Sequence, residues 1–339
     1  MSCLMNCLGY PKPPRDNLSD PDLTVVRLFS KQLKREFAIS VHTPPPQLPL
    51  QPYVFIYSHG NSENIPLSQL WMDDLCRILR STFICYDYLG YGETSGRPSE
   101  SSSIVICEQI LNYAKQNYPE SQIVLWGRSI GSVPTVSVGR NSLVSSIIVE
   151  SGLSSGLNLV CEKPVCKCLD GFKNVQKLGA VNCPVLLMHG TDDEVVPFRC
   201  SVQNLQVLKS KYRAQQDLGA SKIQSDVKQE IQENVIQESA VKQTDLMNSQ
   251  IQNAQNETEI EFETKTQNQL TRSGKNWHYA FFQGGHNDLD TACEKQLVDI
   301  VIKFLKNVFG EEEFTNCSVE NKKVRFQRKI DASRMTRIM

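Results

Sequence analysis

The sequence predicts an α/β protein with a mostly parallel central sheet flanked by helices. Short apolar runs alternate with stretches of helical periodicity from Val54 onward, and glycine-containing turns follow the carboxyl ends of several runs. The chain of 339 residues is long enough to bury one substantial core.

Leu23 to Phe29 and Glu36 to His42 read as opening antiparallel strands, followed by a Pro-rich loop from Thr43 to Pro52. The core strands expected next are Val54–Tyr57, Phe83–Tyr86, Ile123–Trp126, Ser146–Val149, Val185–Met188 and His278–Phe282. Helical stretches fall between them at Leu67–Leu79, Ile104–Tyr118, Val133–Arg140 and Phe198–Leu208. Such alternation implies right-handed crossovers and places the chemistry at the carboxyl ends of parallel strands.

Three segments flank or interrupt this body, which is expected over residues 21–310. Residues 1–20 read as a disordered segment that can carry a lipid anchor. Residues 211–276 are a polar insertion dominated by Gln, Asn, Glu and Lys, too long for an ordinary loop. Ile223, Val227, Ile231, Val235 and Ile236 recur within it at helical steps, so a solvated amphipathic helix is the alternative to a mostly disordered insertion. Residues 311–339 form a charged tail, acidic at Glu311-Glu312-Glu313 and then basic through Lys322, Lys323, Arg325, Arg328, Lys329, Arg334 and Arg337. Near a membrane each of those cations would add ~1 kcal/mol of attraction to anionic lipid, although a solvated tail is the simpler reading.

Composition narrows the function classes. The net charge of −1 gives no global argument for a nucleic-acid partner, and none is expected. Twelve cysteines form no regular framework; Cys76, Cys85, Cys107 and Cys183 sit singly in apolar stretches, as reduced cysteines do. Cys161, Cys166 and Cys168 cluster in one loop, but without paired C-x-x-C motifs or a histidine set, so zinc is not expected. No apolar run is long enough to span a bilayer, and the first residues lack a secretory apolar region. Cys3 and Cys7 lie among leucine and methionine, and Ser2 replaces the glycine that myristoylation requires. Both cysteines are candidates for S-palmitoylation, where two acyl chains anchor and one does not; the alternative is a plain terminus with two thiols.

The sharpest chemical signal is Gly127-Arg128-Ser129-Ile130-Gly131, between the apolar run Ile123–Trp126 and a helical stretch. A serine in such a strand–turn–helix junction needs a strained backbone, and flanking glycines clear space around it. An acid turn follows, His189-Gly190-Thr191-Asp192-Asp193, and then Gly284-Gly285-His286-Asn287-Asp288. Serine, acid and histidine in that chain order match the α/β-hydrolase arrangement. Ser129 is the candidate nucleophile and His286 the general acid–base. Asp193 is the preferred orienting carboxylate, with adjacent Asp192 in reserve because spacing alone does not separate them. Upstream, Ser58-His59-Gly60-Asn61 follows an apolar run, and the backbone N–H groups of Asn61 and Ile130 are the candidate oxyanion hole. His59 and His189 read as residues that shape turns.

Ser58-His59-Gly60-Asn61, the run from Tyr86 through Gly92 to Ser95-Gly96-Arg97-Pro98-Ser99-Glu100, the elbow from Gly127 to Thr135, and the acid and histidine turns together resemble the alpha/beta-hydrolase-domain-containing protein 17 family. The resemblance runs from about Phe37 to Lys209 and from about Trp277 to Leu305. It implies a membrane-anchored serine hydrolase that removes palmitoyl groups from S-acylated proteins at the cytoplasmic face of membranes, plasma or endosomal, with Ser129, Asp193 and His286 as the triad. No cofactor is implied, and the acylated N-terminus would supply peripheral membrane contact. The chain departs from the family in having two N-terminal cysteines rather than a dense cluster, in the polar insertion, and in Arg128, where the family more usually has glutamine; neither of the last two is expected to touch the triad. Gly96 and Pro98 are expected to fix a turn, with Arg97 paired to a nearby acid. The rival readings are a cytosolic carboxylesterase or lysophospholipase acting on a small substrate, and a catalytically silent scaffold working through the insertion.

Overall fold

A computed structural model of the chain describes Tyr10 and residues 25–61, 63–92, 94–161, 170–214, 264–266, 269–274, 277–287 and 294–310. The described strands are β1 (Val25–Ser30), β2 (Arg35–His42), β3 (Tyr53–Ser58), β4 (Thr82–Tyr86), β5 (Gln122–Arg128), β6 (Ser146–Glu150), β7 (Val185–Gly190), β8 (Thr264–Thr266), β9 (Gln269–Gly274) and β10 (Trp277–Phe282). They form one sheet in the order β1-β2-β4-β3-β5-β6-β7-β10-β9-β8. The central six, from β4 to β10, run parallel, with antiparallel strands at both margins. The ends of β3, β5, β7 and β10 therefore open onto one edge, where the candidate residues fall.

Strands β3, β4, β6 and β7 are buried along their whole length because helices cover both faces. The alternation within β3 assigns its side chains. Val54 and Ile56 join the cluster containing Ile106 and Ile110 of α2 (Glu100–Asn117) and Val133 and Val136 of α3 (Ser132–Asn141). Tyr53, Phe55 and Tyr57 join the opposite cluster, with Trp71 and Leu75 of α1 (Ile65–Leu79) and Val301 and Leu305 of α5 (Glu294–Phe309). Helix α4 covers residues 199–214.

Capping explains why two helices begin earlier than their apolar pattern predicts. Asn64 Oδ1 accepts the Leu67 N–H at 3.0 Å, so α1 starts at Ile65 with Pro66 in its first turn. Ser99 and Ser102 satisfy each other's backbone N–H groups at 3.1 and 3.0 Å, starting α2 at Glu100. Gly96 adopts φ 127°, the turn expected of it. Arg97 departs from expectation: it is exposed and, among the described residues, meets no acid. The acid of that stretch points elsewhere, with Glu100 taking Lys177 Nζ at 2.9 Å and the Phe172 N–H at 2.9 Å.

Two segments expected to lack structure contribute at their described positions. Helix α4 runs past Leu208 into the polar insertion, and β9 returns antiparallel on β10, pairing Leu270 with Phe281 and Thr271 with Ala280. Polar composition concealed β9 because apolar periodicity does not register a strand that is held by backbone pairing to β10. In the N-terminal segment, Tyr10 is buried, bonds Ser103 Oγ at 2.9 Å and stands edge-on to Tyr88, Tyr91 and Phe172. Cys3, Cys7, Cys166, Cys168, the Ile223–Ile236 stretch and the charged tail lie outside the described residues. No helix among the described residues is long and apolar enough to cross a membrane.

On β10, His278 is buried edge-on to Phe304 of α5, and burial depresses its pKa to about 4. The unfolded chain binds a proton there near pH 6.5 while the folded chain resists it, so this site's stability is full above pH 6.5 and lost as pH falls toward 4. His278→Gln is expected to flatten the decline in urea-unfolding stability across that window, by on the order of 1 kcal/mol per pH unit. An unchanged slope refutes this.

Candidate active site

The elbow forms where β5 ends and a single 3-10 turn, Ser129–Gly131, leads into α3. Ser129 holds φ 52°, a left-handed conformation that costs a non-glycine residue about 1–2 kcal/mol. The neighbours impose it. A Cβ at Gly127 would overlap Gly131 O and Thr135 Oγ1, and one at Gly131 would overlap Ser58 O and His59 O. Only glycine lets the elbow press this closely on the turn after β3. Ser129 is 7 % exposed.

That turn is the candidate oxyanion site. A Cβ placed on Gly60 would stand 3.8 Å from Ser129 Cβ, so the Gly60–Asn61 backbone lies beside the serine. Tyr91 OH donates to Asn61 Oδ1 at 2.5 Å and Tyr88 OH to His59 O at 2.7 Å, fixing the turn from beneath. His59 Nδ1 donates to Gly60 O at 2.7 Å, the turn-shaping role expected of it. The other oxyanion candidate, Ile130, directly follows the serine at the start of the 3-10 turn.

The acid and histidine meet across β7 and β10. His286 Nδ1 lies 2.7 Å from Asp193 Oδ2, while Asp192 is exposed on the same turn. The structure therefore brings Asp193, not Asp192, to the histidine. Asp193 Oδ1 accepts the N–H groups of Val195 and Val196 at 2.9 and 2.8 Å. Burial would raise its pKa, but hydrogen bonds from His189 and His286 outweigh burial and hold it well below the usual carboxylate range. Facing a carboxylate, His286 Nδ1 carries the proton, which leaves the basic lone pair on Nε2. That is the tautomer a general base needs.

Two further residues were not visible as site components in the sequence. His189 places Nε2 3.1 Å from Asp193 Oδ2 and 2.8 Å from Val196 O, while its Nδ1 meets Ser201 Oγ at 2.6 Å. It shapes the turn, as expected, and also bonds the carboxylate. Arg128 is the larger correction. Expected to stand clear of the triad, it instead donates to Asn287 Oδ1 at 3.1 Å and to His286 O at 3.5 Å. The same guanidinium pairs with Glu63 at 2.7 Å and Glu150 at 3.4 Å. Burial opposes its charge, but the two carboxylates more than offset that and raise its pKa above the ordinary arginine value. The apolar run of β5 carries no signal for an ion network, since the network's members come from four separate segments.

A hydrogen-bonded Ser–His–Asp chain stands elsewhere in the fold and shows what the elbow adds. Ser40 Oγ meets His42 Nε2 at 2.9 Å, and His42 Nδ1 meets Asp73 at 2.7 Å. Ser40 is 1 % exposed within β2, with extended backbone and no turn or helix start beside it to bind an oxyanion. These hydrogen bonds tie β2 to α1. Among the described residues, no cluster of His, Cys, Asp and Glu is arranged to hold a metal ion.

A six-strand parallel core with antiparallel margins, a glycine-flanked serine after β5, an acid after β7 and a histidine after β10 define the α/β-hydrolase fold. The chain is similar to the alpha/beta hydrolase domain-containing protein 17C of Xenopus laevis, 35 % identical over 150 residues covering 43 % of this chain and 48 % of that protein. It is also similar to the human protein 17C, 34 % identical over 44 % of this chain and 46 % of that one, and to the alpha/beta hydrolase domain-containing protein aho-3 of Caenorhabditis elegans, 32 % identical over the same shares. The chain spans about half the length of the curated relatives it matches. No family model matches. Among solved structures, the Pyrococcus furiosus esterase Pf2001 is similar in fold, at TM-score 0.56 and 12 % identity over 89 % of this chain and 98 % of that one.

Gly131→Ala tests the wedge. The added methyl meets backbone oxygens that cannot turn aside, so a loss of about 1–3 kcal/mol in urea-unfolding stability is expected, together with loss of serine-directed probe labelling. Wild-type labelling would contradict the packing described here.

Proposed function

We propose that this chain is a serine hydrolase that removes palmitoyl groups from S-acylated protein cysteines, with Ser129 as nucleophile, His286 as general acid–base and Asp193 as its orienting carboxylate. The observation that carries the hydrolase reading is the left-handed Ser129 elbow facing the sheet edge from which Asp193 holds His286 by Nδ1. In this mechanism Ser129 Oγ attacks the acyl carbonyl carbon and its proton passes to His286 Nε2. The oxyanion of the tetrahedral intermediate takes hydrogen bonds from the N–H groups of Asn61 and Ile130. Collapse expels the cysteine thiolate, which receives the proton from His286, and leaves an acyl-serine. Water, deprotonated by His286, then attacks that ester, and the fatty acid departs as Ser129 recovers its proton.

The thioester preference rests on the likeness to the protein 17 family. It is chemically apt, since a thiolate is a good leaving group and the site needs no metal or organic cofactor to expel it. S-palmitoylated proteins are then the substrates, and a membrane surface is where they are met. Acylation of Cys3 and Cys7 would hold the enzyme there, on the cytoplasmic face.

Wild-type protein is expected to label with a fluorophosphonate, Ser129→Ala to lose that labelling, and a palmitoyl-cysteine peptide to compete for it. Failure of the wild type to label would favour a silent scaffold. Labelling with turnover of oxygen esters in preference to palmitoyl-cysteine peptides would favour a general carboxylesterase.

Anchoring has its own readout. Replacing both cysteines, Cys3→Ser with Cys7→Ser, is expected to move the protein from the membrane fraction to the soluble one, because a chain without acyl groups retains too little membrane affinity. Unchanged membrane association would rule out the acyl anchor.

A further inference from the structure

We infer that Arg128 is a positioning residue that sets the distance between the nucleophile elbow and the histidine loop, an inference that rests on the serine-hydrolase reading. The histidine follows β10 in the short segment Gln283–Asn287, and that segment is gripped from two sides. On the acid side, the Thr191 N–H donates to Phe282 O at 2.6 Å and the Asp192 N–H to Gly284 O at 2.9 Å. Those bonds, with the His286–Asp193 pair, tie the loop to the turn after β7. They fix histidine against acid and leave histidine against serine unspecified.

Arg128 supplies the other grip. It is the residue immediately before Ser129, so its backbone belongs to the elbow, while its guanidinium reaches Asn287 Oδ1 at 3.1 Å and His286 O at 3.5 Å. The guanidinium is itself immobilised. Glu63, two residues beyond Asn61, holds Nη1 at 2.7 Å, and Glu150 at the end of β6 lies 3.4 Å from Nε. Trp126 Nε1 donates to the other oxygen of Glu150 at 2.8 Å, fixing that carboxylate from β5. The Arg128 side chain is 3 % exposed, so water does not compete for these contacts.

The planar fork of arginine suits this task, because its donors point in several fixed directions from one centre. A lysine could neutralise the glutamates but has one donor nitrogen and cannot span both the carboxylates and the histidine loop. One side chain thus joins the oxyanion turn, the nucleophile strand, β6 and the histidine loop. Reaction rate is sensitive to such spacing, since a misplacement of about 1 Å away from the chemistry costs roughly 100-fold.

The test is the kinetics of fluorophosphonate labelling on full-length protein, separating the maximal inactivation rate from the concentration giving half that rate, with thermal unfolding measured alongside. Arg128→Lys and Asn287→Ala are each expected to lower the maximal rate roughly 10–100-fold with the half-saturating concentration within about twofold of wild type. Asn287→Ala leaves both buried glutamate pairs intact, so it reports even if Arg128→Lys folds poorly. The double variant is expected to fall little below the worse single one, because both remove the same link. Wild-type labelling rates in Asn287→Ala, a change confined to half-saturation, or losses that multiply independently would each overturn the positioning role. A wild type that fails to label would instead sink the hydrolase reading itself.

Discussion

The structure around the site depends on the close approach of two backbones, the elbow at Gly127–Gly131 and the turn at Ser58–Gly60. Neither glycine of the elbow has room for a Cβ, and the serine between them is held in a conformation that side chains disfavour. The surrounding strands are buried on both faces and make the geometry rigid. Ser129 is thereby placed at the start of a helical turn, beside the Gly60–Asn61 backbone.

Charge organises the other half of the site. Asp193 is buried yet anionic because two histidines and two backbone N–H groups share it. Arg128 is buried yet cationic because two glutamates face it. An uncompensated charge at either position would cost several kcal/mol, so each cluster has to be built whole. The two clusters lie on opposite sides of the histidine loop. One fixes the tautomer of His286, and the other links its backbone to the elbow.

Much of this was legible residue by residue. The parallel strands follow from short apolar runs, and the serine, acid and histidine from glycine turns at their carboxyl ends. The capped starts of α1 and α2 extended beyond the apolar pattern because Asn64 and Ser99 satisfy backbone donors, an effect that hydrophobic periodicity does not register. Strand β9 was missed for the converse reason: its residues are mostly polar, and its hydrogen-bonding partner is β10. Arg97 had nearby acids in sequence but meets none among the described residues, whereas Glu100 found Lys177 and the Phe172 backbone.

The sequence by itself determined the fold class, the chain order of the candidate triad and the place of the strained serine, because local patterns of apolar residues and glycine encode strands and turns directly. Only the tertiary structure decided between Asp192 and Asp193. Adjacent carboxylates on one turn point in different directions, and just one meets His286. It alone also revealed His189 against the carboxylate and Arg128 against the histidine loop. Buried charges are paired by proximity in space, and the partners of Arg128 come from positions as distant as Glu63 and Asn287.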